Sequence, residues 1–148
     1  MAKYQQGYFK PKFPEKYKGD PTNVIFRSSW ELKVMMDLDY NPNIVERSSE
    51  ETIIPYLSKV DRRYHRYFVD FMVKVKEEND QIKTLLLEIK PYTQTQQPKK
   101  PEKITKTYKR AVIEYARNVS KWEAAKEYCK KRGWQFEVLT EKELFKVK

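Results

Sequence analysis

A mixed α and β fold is what this sequence predicts: a central sheet that includes a β-hairpin, with helices on its flanks. Two observations carry the prediction. Residues 68–76 and 84–90 each alternate between apolar and polar or charged side chains, and a polar stretch containing Asn79-Asp80 separates them, as in two strands joined by a turn. Before and after this pair, apolar residues recur at helical spacing behind a Ser or Thr followed three positions later by Glu, the pattern of a capped helix start. At 148 residues the chain is long enough for one domain with a true core and short for two.

From the N-terminus, residues 1–22 interleave Tyr4, Tyr8, Phe9, Phe13 and Tyr17 with Lys3, Lys10, Lys12, Lys16 and Lys18, and add Pro11, Pro14 and Pro21. Prolines at this density exclude a regular helix and predict an extended basic and aromatic arm, with a single domain over 23–148. Such an arm can follow phosphates and stack on bases, or lie on its own domain or a partner protein. A helix begins near Ser28, which with Glu31 has capping-box spacing, shows Trp30, Val34, Met35 and Leu38 on one face, and stops before Asn41-Pro42. Extended structure over 51–57 and a polar turn over 58–62 follow.

The hairpin register follows from burial. Centring the turn on Asn79 sets Val69 opposite Ile89, Phe71 opposite Leu87 and Val73 opposite Leu85, all on one face. The same register sets Asp70 opposite Glu88 on the other face, with Lys90 beside Glu88, because side chains two apart share a face. Beyond Pro91, residues 94–101 read as a polar loop, 103–118 as a helix, and Ser120 with Glu123 as the start of another helix ending at Gly133. Residues 134–139 read as a strand, and Thr140 with Glu143 caps a short last helix. The helical crossover between strands is expected to be right-handed.

Charge and composition narrow the chemistry. Lysine and arginine outnumber acids by 31 to 21, and a net charge of +10 favours a polyanionic partner such as nucleic acid. No apolar run approaches a membrane span and the N-terminus lacks a secretory core, so the expectation is a protein made in the cytoplasm with no membrane partner. One cysteine, Cys129, and one histidine, His65, exclude an intrachain disulfide and a thiolate or imidazole zinc site, which leaves oxygen ligands for any metal. Cys129, Trp122, Tyr128 and Trp134 read as packing residues.

Two carboxylates facing each other across a strand pair repel, so something must compensate. Lys90 alone would make an ordinary cross-strand charge cluster. A divalent cation, Mg²⁺ with Mn²⁺ able to substitute, held by Asp70, Glu88 and the backbone carbonyl of Ile89, would instead make a site for phosphodiester hydrolysis, with Lys90 offsetting charge on phosphate. Asp70 followed by Glu88-Ile89-Lys90 resembles the signature of the PD-(D/E)XK nuclease superfamily, with Val69 where a proline is usual. Glu31 in an upstream helix, the strand around residues 67–71 and the run 126–144 are similar to TnsA-type transposition endonucleases. The segments 14–20, 26–32, 54–56 and 65–68 resemble the head-completion nucleases of T-even-type tailed bacteriophages.

These resemblances imply a restriction-endonuclease-like core and cleavage of double-stranded DNA without a small-molecule cofactor. They imply action on packaged DNA at the portal end of a filled capsid, in contact with portal or neck proteins, in the host cytoplasm and with a possible place in the virion. A transposition or recombination endonuclease and a non-catalytic basic assembly protein are the competing readings. The superfamily also makes Glu31 a candidate catalytic acid and metal ligand, whereas its local spacing makes it a helix cap. His65 shares the parity of Val69, away from Asp70; Arg66 shares that of Asp70 and is the better phosphate contact. Gln94 and Tyr92 could approach the site from the loop after Lys90. Lys99, Lys100 and Lys103, with Lys106, Lys109 and Arg110 beyond them, could track a DNA backbone or simply be solvated.

Overall fold

A computed structural model describes residues 4–145, with side chains from Gln6 onward; Lys3 and the side chain of Tyr4, both part of the predicted arm, lie outside the described residues. Eight strands and three α-helices follow in the order β1 (Tyr4–Phe9), β2 (Val24–Ser28), α1 (Ser29–Tyr40), β3 (Ile44–Ser49), β4 (Ile53–Leu57), β5 (Tyr64–Phe68), β6 (Phe71–Lys76), β7 (Ile82–Ile89), α2 (Lys106–Arg132), β8 (Gln135–Leu139) and α3 (Glu141–Leu144). The central sheet runs β3-β6-β7-β8, antiparallel except for the parallel pair β7–β8 joined by α2. β1–β2 and β4–β5 form separate antiparallel ribbons. This is the mixed, helix-flanked sheet of the restriction-endonuclease-like architecture.

The central sheet is buried on both faces. On one, Phe71, Val73 and Leu87 pack with Val34 and Met35 of α1 and Val24 and Phe26 of β2. On the other, Met72 and Leu86 pack with Ala125 and Cys129 of α2 and with Ile54, Tyr56, Tyr67 and Val69. Met72 therefore lies in core, where simple alternation would leave its face open. Two-sided burial is what a sheet with helices on both faces requires of its inner strands.

The predicted hairpin register holds from Phe71 opposite Leu87 to Lys76 opposite Ile82, but neither the Asp70–Glu88 nor the Val69–Ile89 ladder pair forms. Continuous alternation through 68–76 concealed a break at Val69-Asp70. There the Val69 amide donates to the Thr52 carbonyl, and the chain leaves the central sheet for the β4–β5 ribbon. Val69 accordingly joins the α2-side core, away from Phe71 and Val73.

Two expected helices are one. α2 runs unbroken through Ser120, whose hydroxyl donates to the Ala116 carbonyl within the helix and accepts the Lys59 amide from the β4–β5 turn. The capping spacing of Ser120 and Glu123 misled because nothing before Ser120 breaks the helix. Thr105 provides the N-cap, and Gly133, at φ +70°, the left-handed C-cap. Strands β2 and β3 had not been anticipated; each is too short and mixed in composition for periodicity to reveal it.

The N-terminal segment is held by a buried ion pair. Asp39 at the end of α1 accepts the Arg47 guanidinium at 3.2 Å and the Lys12 amide at 2.8 Å, while the Lys16 ammonium reaches the Asp39 carbonyl. The Arg47 guanidinium lies between the rings of Phe9 and Tyr17. At Gly7 a Cβ would stand 2.8 Å from the Phe26 ring, so this crossing of β1 over β2 needs glycine.

Candidate active site

Asp70 occupies the break between β5 and β6, and Glu88 the penultimate position of β7, one step beyond the last ladder pair. The chain is bent at Asp70 because its neighbours are claimed by another strand: its carbonyl accepts the Glu50 amide and its side-chain Oδ2 accepts the Ile89 amide at 2.8 Å. That last bond turns the carboxyl toward Glu88, and the two side chains come within hydrogen-bonding reach. Burial, then the Glu88 charge, raises the Asp70 pKa well above the ordinary carboxylate range. A proton held between the pair would offset the repulsion, and so would a cation.

Glu88 is buried and takes a hydrogen bond from the Tyr67 hydroxyl at 2.5 Å. Burial and the adjacent Glu88 charge raise the Tyr67 pKa, so the phenol remains a donor. The Lys121 ammonium of α2 lies 5.6 Å from the Tyr67 ring centroid. Sequence reasoning missed Tyr67 as part of the site; the signal was a tyrosine three residues before Asp70, whose ring could be buried while its hydroxyl sought a partner. Lys90 is half-buried just past β7, its amide bonded to the Leu139 carbonyl of β8, and its ammonium makes no ion pair among the described residues.

Glu31 combines features of both its expected roles. The Ser28 hydroxyl accepts the Glu31 amide at 3.1 Å, and Glu31 Oε2 accepts the Arg27 amide at 2.9 Å, one residue before the position a closed capping box would use. Burial, with smaller contributions from the charges of Glu50 and Glu88, raises its pKa against the opposing Arg27 amide. Asp70 in turn feels the Glu31 charge. Glu31 therefore stands beside the pair with one oxygen already engaged.

The donor set suits a hard divalent cation. Asp70 and Glu88 present crowded oxygens beside the Ile89 backbone, but among the described residues no three acidic, His or Cys side chains converge as a complete cage. An ion here would draw its remaining ligands from water and substrate, which is how Mg²⁺ is commonly held.

The other predicted contacts are dispersed. His65 is bonded to Asp61 at 2.7 Å on the exposed turn side of the β4–β5 ribbon. Arg66 is exposed, with its guanidinium over the Phe68 ring. Tyr92 and Gln94 lie in a 3₁₀ turn, Tyr92–Thr95, where the Tyr92 amide is bonded to Glu141. Gln94 lines a cleft of about 890 Å³ against Arg110, Arg117 and Asn118 of α2. Lys99, Lys100 and Lys103 are exposed on the irregular segment between that turn and α2.

Comparison with known proteins places this chain among nucleases. The family model for the N-terminal domain of TnsA-like endonucleases matches residues 41–141, a span that includes Asp70, Glu88 and Lys90 and leaves out Glu31. The head completion nuclease of Enterobacteria phage T4 is 36% identical over 139 residues, covering 91% of this chain and 90% of that protein.

Proposed function

The chain belongs to the TnsA-like endonuclease family, and from that membership we propose that it is a Mg²⁺-dependent DNA nuclease with Asp70, Glu88 and Lys90 as its catalytic residues. The observation that carries the proposal is the coupled carboxyl pair at the ends of β6 and β7, with an unpaired lysine two residues beyond Glu88.

Asp70, Glu88 and the Ile89 carbonyl would hold the ion, with Glu31 beside them. A bound Mg²⁺ supplies polarisation of a phosphate oxygen and a lowered pKa for water. The chain's own groups do the rest. The Ile89 amide fixes the direction of Asp70 and the Tyr67 hydroxyl fixes Glu88, so both carboxyl groups are oriented before an ion arrives. The Lys90 ammonium offsets the negative charge that grows on phosphate as the bond to the leaving oxygen breaks. Arg66, Gln94, Lys99, Lys100 and Lys103 are proposed contacts to the flanking backbone of double-stranded DNA.

The name of the phage T4 relative supports a role in head completion: trimming or cutting packaged DNA before neck and tail join, in the host cytoplasm and beside portal or neck proteins. The test is incubation of the purified protein with linear and supercoiled DNA in Mg²⁺, Mn²⁺ or chelator. Cleavage is expected with either metal and none with chelator. Asp70→Asn, Glu88→Gln and Lys90→Ala should each lower it by about 100-fold or more with folding preserved. Full activity in Asp70→Asn would overturn the assigned site, and absence of cleavage by the native protein would favour a binding role.

A further inference from the structure

We infer that the outer face of the β4–β5 ribbon is a platform for unpaired DNA, a substrate feature that rests on the nuclease reading and extends it. The ribbon's inner face, Ile54, Tyr56 and Tyr67, is buried against α2. Its outer face is built from three cross-strand pairs: Ile53 with Phe68, Pro55 with Arg66 and Leu57 with Tyr64. All six are exposed; Tyr64 is 75% exposed, Leu57 51% and Phe68 43%. Five apolar or aromatic side chains and one arginine open to solvent on a short ribbon mark a binding surface, because scattered exposure of single apolar residues is ordinary and a contiguous face is not.

The occupant is indicated by charge. At the centre of the face the Arg66 guanidinium lies 5.3 Å from the Phe68 ring centroid. The adjoining turn adds Arg62 and Arg63 against Asp61, whose carboxylate is already engaged by His65 and by the Arg63 amide, while Lys59 there is paired with Glu123 at 3.3 Å. Arg62, Arg63 and Arg66 have no ion-pair partner among the described residues. Exposed rings interleaved with unneutralised cations are the chemistry that holds single strands, with bases stacked on rings and phosphates on guanidinium groups.

Position connects this face to the proposed chemistry. Phe68 is two residues from Asp70, and the residue after it in the opposite sense, Tyr67, reaches through the inner face to hold Glu88. Tyr64 and Phe68 are four residues apart on one strand, about 13 Å at the rise of a β-strand, so bases about two nucleotides apart on an extended strand can meet the two rings. The face and the carboxyl pair share one short stretch of chain, and a strand held here would favour DNA with single-stranded tails or frayed ends over blunt duplex.

The test measures binding of the full chain by fluorescence anisotropy in chelator, with labelled single-stranded, tailed and blunt duplex oligonucleotides. Tyr64→Ala and Phe68→Ala should each weaken single-stranded and tailed binding by about tenfold and leave blunt duplex unchanged, while Tyr64→Phe and Phe68→Tyr retain affinity. Arg66→Ala should lower the salt slope on single strands by about 0.7. As a check independent of any loss of folding, Tyr64→Trp should bind single strands at least as tightly as the native chain, with its added fluorescence quenched by bases. Native single-strand affinity in both alanine variants, equal losses on all three DNAs, or unquenched Tyr64→Trp would overturn the inference. So would a change from dimer to monomer on sedimentation of Tyr64→Ala with DNA binding intact, which would make the face a self-contact. Because chelator removes cleavage from the measurement, failure of the nuclease assay and failure of the ribbon are read separately.

Discussion

Asp70 is held where its ionisation is costly. Its folded pKa lies above that of the unfolded chain, so its contribution to stability is fully present below the ordinary carboxylate range and is lost as pH rises through the raised value. Asp70→Asn, which can keep the bond from the Ile89 amide, should therefore melt higher than the native protein at pH 7 in chelator, with the difference shrinking toward pH 4, by scanning fluorimetry. Mg²⁺ should raise the melting temperature of the native chain and not of this variant, an effect that fades as acid reprotonates the pair. Tyr67→Phe keeps the buried ring and removes only the bond to Glu88; its expected signature is metal affinity lowered by about 10- to 100-fold in a titration, with little change in melting. For Glu31→Gln, whose amide oxygen can still accept the Arg27 N–H, we expect a large loss of cleavage at nearly unchanged stability. Loss of stability with cleavage intact would make Glu31 a cap alone. At this scale the nearness of Asp70 to Glu88 was legible in the sequence, although a strand break and the Ile89 amide bring it about rather than cross-strand parity. The role of Tyr67 was not, since its partner lies 21 residues away across a sheet boundary.

The elements show where local pattern suffices. The register of β6 and β7 was legible because pairing out of step would have turned Phe71, Val73, Leu85 and Leu87 away from α1 and β2. The caps at Ser28 and Thr140 and the stop at Gly133 were legible because each satisfies backbone groups within its own turn. Ser120 was not: its spacing to Glu123 matches a cap, yet its hydroxyl works inside α2 and anchors the ribbon turn through the Lys59 amide. Ser120→Ala should cost about 1 kcal/mol by denaturant unfolding, through the freed Lys59 amide rather than through loss of a helix start. Amide exchange should accordingly quicken at residues 58–63 and stay slow along α2, whereas fraying of α2 near residue 120 would argue for a cap.

Across the whole molecule, the Asp39–Arg47 pair ties the N-terminal segment, α1 and β3 together away from the candidate site. Arg47→Ala leaves the Asp39 carboxylate buried without its guanidinium and should cost about 3–5 kcal/mol by denaturant unfolding, because an uncompensated interior charge is worse than no pair. Earlier trypsin cleavage at Lys10 to Lys18 should accompany it. No local pattern signals this pair, since Asp39 and Arg47 sit in an ordinary helix end and an unrecognised strand. By itself, the sequence determined the helix-flanked mixed fold, the capped ends of α1 and α3 and the pairing of β6 with β7, all consequences of short-range periodicity and capping. Only the tertiary structure decided that the strand breaks at Asp70, that α2 is continuous, that both sheet faces are buried, and that Tyr67 and Glu31 stand by the carboxyl pair. Those features depend on which distant backbone and side-chain groups compete for the same hydrogen bonds and the same core, and no local pattern encodes that competition.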